Sequence, residues 1–285
     1  MPDPEQKKKA EAFRAMHTGT GAVLLLPNVW DVASARIIEE AGFQAIATTS
    51  AGIAFAQGFP DGQKIPADQM ITTVAHIASA VRVPVTADVE AGYGQRPEDA
   101  ARTAYNVIDA GAVGMNFEDA TGDSDSPLTE LTLQLERLRA IRETAEELRV
   151  PIVLNARTDV YLLQIGDPSR RYDEAVRRLS AFRDAGADCV FAPGVRDAET
   201  IGRFVTDLKC PVNILGVPGS PCVPELVKLG VKRISLGSGP MRSSLGFLRK
   251  LAEEVKTSGT CKLMEGAPSH AEMNKLMSGN RVLNR

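Results

Sequence analysis

Several features that mark common protein classes are scarce in this 285-residue chain. Histidine occurs three times, as His17, His76 and His270, and cysteine four times, as Cys189, Cys210, Cys222 and Cys261, with no CxxC pair. That spacing speaks against a zinc cluster or a disulfide framework. Cys189 and Cys210, set in apolar strand-like runs, read as small core residues. There is no basic surplus either: 33 Lys and Arg face 36 Asp and Glu, and a net charge of -3 argues against a nucleic-acid partner. No apolar run approaches a membrane span. The lysines within residues 1–9 lead into no hydrophobic stretch, so neither a secretory signal nor a membrane partner is expected and the cytoplasm is the default location.

What is present is a regular alternation. Helix ends of the form Ala-Gly or Leu-Gly, at Gly42, Gly111, Gly186 and Gly230, interleave with prolines that open strands, Pro84, Pro151 and Pro211. Glycine lets a helix stop and turn, and proline is tolerated at the first residue of a strand. Counting the apolar run ahead of Pro27, eight strand-like segments alternate with helical patterns over residues 32–41, 67–81, 97–110, 131–148, 171–185, 197–208, 223–229 and 241–255. Such alternation implies parallel strands with right-handed crossovers. The predicted fold is α/β, a TIM-type (β/α)8 barrel over residues 1–258 that includes an amphipathic helix at residues 4–17. A doubly wound open sheet is the fallback, although its GxGxxG fingerprint is absent. The tail, residues 259–285 with a helical stretch at 269–277, exceeds what a barrel needs and is expected to pack on a neighbouring subunit or to fray.

The chemistry concentrates at Asp88-Val89-Glu90-Ala91-Gly92-Tyr93-Gly94. If residues 84–90 are extended, period-two alternation sends Asp88 and Glu90 to one face, at the C-terminal tip where α/β folds place their sites. Two neighbouring carboxylates repel unless a cation lies between them, and oxygen-only ligands suit Mg²⁺ or Mn²⁺. The other strand ends add Asn28, Trp30 and Asp31, then Ser50, Ala51 and Gly52, then Asn116, Glu118 and Asp119, and finally Asn155, Arg157 and Asp159. The bland alternative is a rim of ion pairs around Arg157. It loses for the group as a whole, because the acids outnumber the bases. A single arginine among them reads as a hook for a substrate carboxylate.

Together these residues resemble the isocitrate lyase and phosphoenolpyruvate mutase superfamily. The resemblance runs from Pro27-Asn28-Val29-Trp30-Asp31 through Ser50-Ala51-Gly52, Phe59-Pro60-Asp61-Gly62, the Asp88 to Gly94 stretch and Asn116-Phe117-Glu118-Asp119 to Asn155-Ala156-Arg157-Thr158-Asp159. It implies that Asp88 is the principal Mg²⁺ ligand with Glu90 beside it, and that Asp61, Glu118 and Arg157 form the catalytic group. It also implies that Trp30, Ser50, Ala51, Gly52, Asn116, Asn155 and Arg157 hold a small 2-oxo or 2-hydroxy carboxylate. The chemistry it implies is bond breaking beside a metal-stabilised enolate, by carbon-carbon cleavage or decarboxylation. The alternatives are action on a C–P bond, as a phosphonopyruvate-type hydrolase or mutase, and a non-catalytic metabolite-binding barrel. Assembly as a homodimer or homotetramer with exchange of the C-terminal helix is implied as well.

The chain also departs from that pattern. The lyases carry a Lys-Lys/Arg-Cys-Gly-His segment after the fourth strand, where this sequence has Ala120-Thr121-Gly122-Asp123-Ser124-Asp125-Ser126-Pro127, with neither Cys nor His. Ala192-Pro193-Gly194 replaces a lyase glutamate, and Leu215-Gly216-Val217 an Asn-Ile-Thr. Tricarboxylate recognition is therefore not expected. The loop at residues 120–127 reads either as a mobile lid or as a plain surface turn. Gly237-Ser238-Gly239-Pro240 reads either as an anion cradle or as a tight turn.

Overall fold

The computed structural model describes residues 3–19 and 22–278. Helix α1 (Pro4–Thr18) begins where Asp3 accepts a hydrogen bond from Glu5 N and Pro4 occupies the first turn; it buries Ala10, Phe13 and His17, turns Lys7 and Lys8 outward, and Lys9 donates to the Val81 carbonyl. It covers the N-terminal ends of the strands, with Phe13 against Gly114 and the Gln6 side chain donating to the carbonyls of Ile108 and Ala112.

Among the described residues nine parallel strands make the sheet: β1 (Leu24–Leu26), β2 (Asn28–Val29), β3 (Ile46–Thr48), β4 (Val85–Asp88), β5 (Gly114–Glu118), β6 (Val153–Arg157), β7 (Cys189–Phe191), β8 (Val212–Leu215) and β9 (Arg233–Ser235). β1 and β2 are one stave of the predicted eight. Pro27 has no N–H and interrupts the ladder, yet its carbonyl still accepts from Ala47 N. Because β1 pairs with β9 and β2 with β3, the sheet closes through that stave into a TIM-type barrel.

The helices α2 (Val32–Glu40), α4 (Ala67–Ala80), α5 (Pro97–Asp109), α6 (Leu131–Glu147), α7 (Arg171–Asp184), α8 (Ala198–Leu208), α9 (Val223–Lys228) and α10 (Gly239–Ser258) fall within a few residues of the predicted ones. One was not anticipated: α3 (Ser50–Ala56), which starts directly after β3 behind a Thr49 N-cap. The C-terminal α11 (His270–Met277) lies against α2 of its own chain, where Arg36 Nη1 donates to the carbonyls of Leu276 and Met277. Among the described residues no helix is long and apolar enough to cross a membrane.

Most of the apolar core lies between strands and helices, while Leu24, Leu26, Val153 and Phe191 share the inward parity. In β5, Met115 and Phe117 join the helix-facing cluster, while Asn116 faces the barrel cavity. The same alternation turns Asn28, Thr86, Asn155, Asn213, Arg233 and Ser235 inward, all of them buried. A barrel of this kind usually fills its interior with branched apolar side chains. This one sets amides, hydroxyls and a guanidinium among its apolar side chains.

Candidate active site

Asp88 ends β4 and is the best-held acid of the group. Ser50 N and Ser50 Oγ donate to its Oδ2 at 3.0 and 2.8 Å, Asn116 Nδ2 donates to its Oδ1 at 2.9 Å, and Asn155 Nδ2 donates to Asn116 Oδ1 at 2.8 Å. Three strand ends and the first turn of α3 thus fix one carboxylate. The unexpected α3 has a plain cause: its open N-terminal N–H groups are the donors that the sequence placed at Ser50 to Gly52. Ser50 N is spent on Asp88 and Gly52 N on Thr49 Oγ1, so these donors hold the site together before any substrate is considered.

Glu90 does not reach Asp88 by strand alternation, as the extended reading had it. The strand stops at Asp88, and Glu90 adopts φ 52, in the left-handed region, as do Gln63 and Tyr93 nearby. A turn, not a pleat, carries the second acid, and Gln63 locks it: Gln63 N donates to Glu90 Oε2 at 2.5 Å and Gln63 Oε1 accepts from Tyr93 N at 2.6 Å. Those two bonds also hold the loop that bears Asp61. Non-glycine residues in this region are strained, and here the strain is held by side-chain bonds at the site itself. Gly92, at φ 81, follows in the turn; a Cβ there would meet Phe117 Cε2 at 2.5 Å.

The electrostatics match a surplus of acid. Burial, then the charges of Asp88 and Asp61, push Glu90 up to about 7, and its Oε1 is buried without a hydrogen-bond partner. Partial burial and the Asp88 charge raise Asp61 as well, although that residue stands at the exposed rim. Burial holds Glu118 well above its ordinary value against the pull of Arg157.

Arg157 is already engaged. Its Nε and Nη2 grip Asp159 at 2.5 and 2.8 Å and its Nη1 meets Glu118 at 2.7 Å, so three of its five N–H donors are used within the protein. Burial opposes its charge, but Glu118 and Asp159 outweigh that and keep it protonated. The expected carboxylate hook is thus also a strut between two acids, with part of its fork left for the cavity that it lines. Asp119 belongs to a separate knot: it accepts from Thr158 Oγ1, Asp159 N and Arg178 Nη1, and its carbonyl accepts from Thr129 N.

A cavity of about 320 Å³ opens here. Of the residues named from sequence, Asn28, Ser50, Ala51, Asp61, Asp88, Asn116, Asn155 and Arg157 line it; Glu90 and Glu118 stand behind that lining, and Trp30 and Gly52 pack against one another instead. Thr86, Arg196, Asn213, Arg233 and Arg242 line it too and were missed. Arg233 and Ser235 share parity in a strand-like run, a signal that was available. Arg196 and Arg242 lie in loop and helix positions where periodicity says nothing. Phe191, Pro193, Leu215, Val217 and Leu162 make the far wall apolar. The loop at residues 121–127 lines none of this cavity. Ala120 bridges Leu128 across its neck, and Thr121 N and Oγ1 bond to the carbonyls of Pro127 and Ser126, which gives a self-contained turn.

The donor set suits a divalent cation. Asp88, Glu90 and Asp61 are all oxygen donors, the charge of Asp88 helps raise the proton affinity of the other two, and an unpartnered buried carboxylate oxygen belongs to the group. Among the described residues no three His, Cys, Asp or Glu side chains converge tightly enough to hold a metal unaided, so water or substrate oxygens would complete its shell.

Comparison with known proteins agrees with this architecture. Residues 13–256 match the family model described as phosphoenolpyruvate phosphomutase. A crystal structure from Burkholderia cenocepacia J2315, described as a lyase/mutase, superposes with a TM-score of 0.91 at 38% identity over 98% of this chain and 99% of that one. Oxaloacetate acetylhydrolase in complex with its product oxalate superposes at 0.83, with 27% identity over 94% and 93%. The 2-methylisocitrate lyase of Escherichia coli (strain K12) is 26% identical over 207 residues, 71% of this chain and 68% of its own.

Proposed function

Because the chain belongs to the phosphoenolpyruvate phosphomutase family, we propose that it is a Mg²⁺-dependent enzyme that cleaves a carbon-carbon bond in a small 2-oxo or 2-hydroxy carboxylate. The observation that carries this reading is Asp88, fixed by Ser50 and Asn116 and crowded by Asp61 and Glu90 at the cavity. Asp88 and Glu90 would hold the cation. When bound, it supplies positive charge at the 2-oxo oxygen, where electrons collect as the bond to C3 breaks.

The rest is the work of the chain. The Ser50 and Asn116 bonds keep Asp88 in one orientation, so little reorganisation remains for the reaction itself. Arg157, protonated and braced by Glu118 and Asp159, presents its remaining donors to the substrate carboxylate. The apolar far wall excludes water from the breaking bond. With neither Cys nor His in the loop at residues 120–127, proton transfer falls to Asp61, an acid of raised proton affinity that lines the cavity and is not needed to hold the cation. Action on a C–P bond is the second reading, favoured by the exposed Arg196 and Arg242 that also line the cavity. We place the enzyme in the cytoplasm and as a homo-oligomer, since α10 exposes Leu245, Phe247 and Leu248 on a surface that a second copy would cover.

The test is a panel of oxaloacetate, 2-methylisocitrate, isocitrate, dimethylmalate and phosphonopyruvate with and without Mg²⁺, with products identified. Turnover of a carbon acid that EDTA abolishes supports the reading. Turnover that survives EDTA removes it, and release of phosphate from phosphonopyruvate alone favours the second.

A further inference from the structure

Among the described buried arginines Arg233 has the fewest partners, although Arg137 too has no carboxylate within ion-pair distance and an unpartnered Nε. Arg137 donates to the carbonyls of Ala91 and Gly94 and to Gln134 Oε1; Arg178 meets Asp119 and Glu174; Arg36 caps α11. Arg233, 2% exposed in β9, has no carboxylate within ion-pair distance among the described residues. Its one hydrogen-bond partner there is His17 Nε2 at 3.4 Å, and its Nε–H has none. Burial and the Arg233 charge itself hold His17 neutral, so that contact brings no compensating charge. A guanidinium taken out of water without a counter-charge is among the most costly groups a fold can bury.

The side chain lines the same cavity as Asp88, and that part of the cavity has other loose ends. Thr86 Oγ1, Asn155 Oδ1 and Asn213 Oδ1 are cut off from solvent without partners. Asn155 is fixed in orientation, because its Nδ2 donates to Asn116 Oδ1 and Asn116 Nδ2 donates to Asp88. Asn213 is not fixed: its Nδ2 faces Ser235 Oγ at 3.1 Å, and a hydroxyl there serves as donor or acceptor, so the amide can turn its N–H groups inward. Thr86 Oγ1 rotates freely to donate. Arg233 and Asn213 are register neighbours on β9 and β8, so their donors are adjacent.

We propose that a small monovalent anion of the halide class sits inside the barrel on Arg233, held by its free N–H with help from Asn213 and Thr86. Water alone would satisfy the hydrogen bonds and bring no charge beside a guanidinium that feels Asp88 only from beyond ion-pair distance. The site is interior and lies beyond the acid group, which favours a compact ion over an organic acid. The inference does not depend on which reaction the upper site performs.

Two measurements on the full chain test it. Crystals soaked in sodium bromide should show anomalous density beside the Arg233 guanidinium. Thermal unfolding in sodium bromide or chloride should lie above that in sodium methanesulfonate at equal ionic strength, by about 3–5 °C at ten times the Kd. Arg233→Met should lose the difference and Arg233→Lys should keep part of it. Absence of anomalous density at Arg233, or an undiminished halide effect in Arg233→Met, overturns the proposal. Density with no halide-specific shift marks an adventitious ion and overturns it too. If Arg233→Met does not fold, the wild-type density and salt comparison decide.

Discussion

The two ends of the barrel interior are both charged, and they manage burial in opposite ways. At the C-terminal end, five acids, Asp61, Asp88, Glu90, Glu118 and Asp159, share one arginine, Arg157, and burial together with mutual repulsion raises the proton affinity of Asp61 and Glu90. At the N-terminal end, under α1, Arg233 and His17 meet with no carboxylate within ion-pair distance of either among the described residues, and burial lowers the proton affinity of both. Desolvation acts identically on each; only the sign of the charge differs. The acid end is left short of positive charge and opens to a cavity, as a site that receives a cation must. The base end is closed by a helix and relieves its strain by keeping His17 neutral.

The sharpest way to break this contrast is to remove the central acid. Asp88→Asn keeps the volume and an acceptor for Ser50 but takes away the charge on which the cation depends. We expect kcat/KM to fall about a thousandfold or more, about 4 kcal/mol, with the midpoint of thermal unfolding nearly unchanged. Steady-state kinetics with a Mg²⁺ titration checks it. A variant within tenfold of wild type would mean that the acid end is structural after all.

Next in size is Asp119→Ala, which asks whether acids at this end that serve the fold behave differently from those that serve the site. Asp119 balances Arg178, itself buried, and bonds to Thr158 and Asp159. Removing it leaves buried Arg178 with Glu174 alone, frees the Thr158 hydroxyl and Asp159 N–H, and should cost about 3 kcal/mol of stability, read by urea denaturation. Arg178→Met in the same background should recover part of the loss.

The fold was legible because its signals are local. Ala-Gly helix ends and strand-opening prolines each act within two or three residues, and they place the strands and most of the helices. The site was half legible. Parity put Asn116 and Asn155 on the inner face with Asp88, where they form a hydrogen-bonded row. Parity failed at Glu90, because a left-handed residue ends the strand and only the distant Gln63 makes that turn worthwhile. It could not see that Arg157 is spent on Glu118 and Asp159, since ion pairing depends on which neighbour is nearest in space. The α3 helix was hidden for a third reason. Seven residues behind a Thr cap, with Gly52 inside, carry no amphipathic period.

A smaller perturbation probes the seam between the ends. A Cβ on Gly114 would meet Phe13 Cε1 at 2.8 Å, Thr86 Oγ1 at 2.9 Å and the Val153 carbonyl at 3.0 Å. The helix that seals the base end therefore rests on a position where the barrel wall has no side chain. Gly114→Ala should cost about 2 kcal/mol by chemical denaturation, because the backbone carbonyl cannot give way as a side chain would. Phe13→Leu should relieve part of it.

The least effect and the finest distinction lie in the pH dependence of the base end. His17 is held at about 3 by burial and by the Arg233 charge, against the hydrogen bond to the Phe13 carbonyl, which favours the proton. Its ordinary value is 6.5, so between the two values the unfolded chain binds a proton that the folded chain refuses. Stability contributed by neutral His17 is therefore full above the unfolded value and is lost as pH falls through it. The loss should be about 1 kcal/mol between about pH 6.5 and pH 5.5, approaching ~1.4 kcal/mol per unit below that. Acids with raised values, such as Glu90, push the other way over the same range, so the total slope does not isolate the histidine. The difference between wild type and His17→Gln does, because glutamine cannot titrate and all other groups stay in place. Urea midpoints measured across that range should diverge for the two proteins as the solution is acidified. Parallel curves would mean that His17 takes up its proton equally in the folded and unfolded chain, and on acidification the base end would then carry two positive charges where the contrast between the ends allows one.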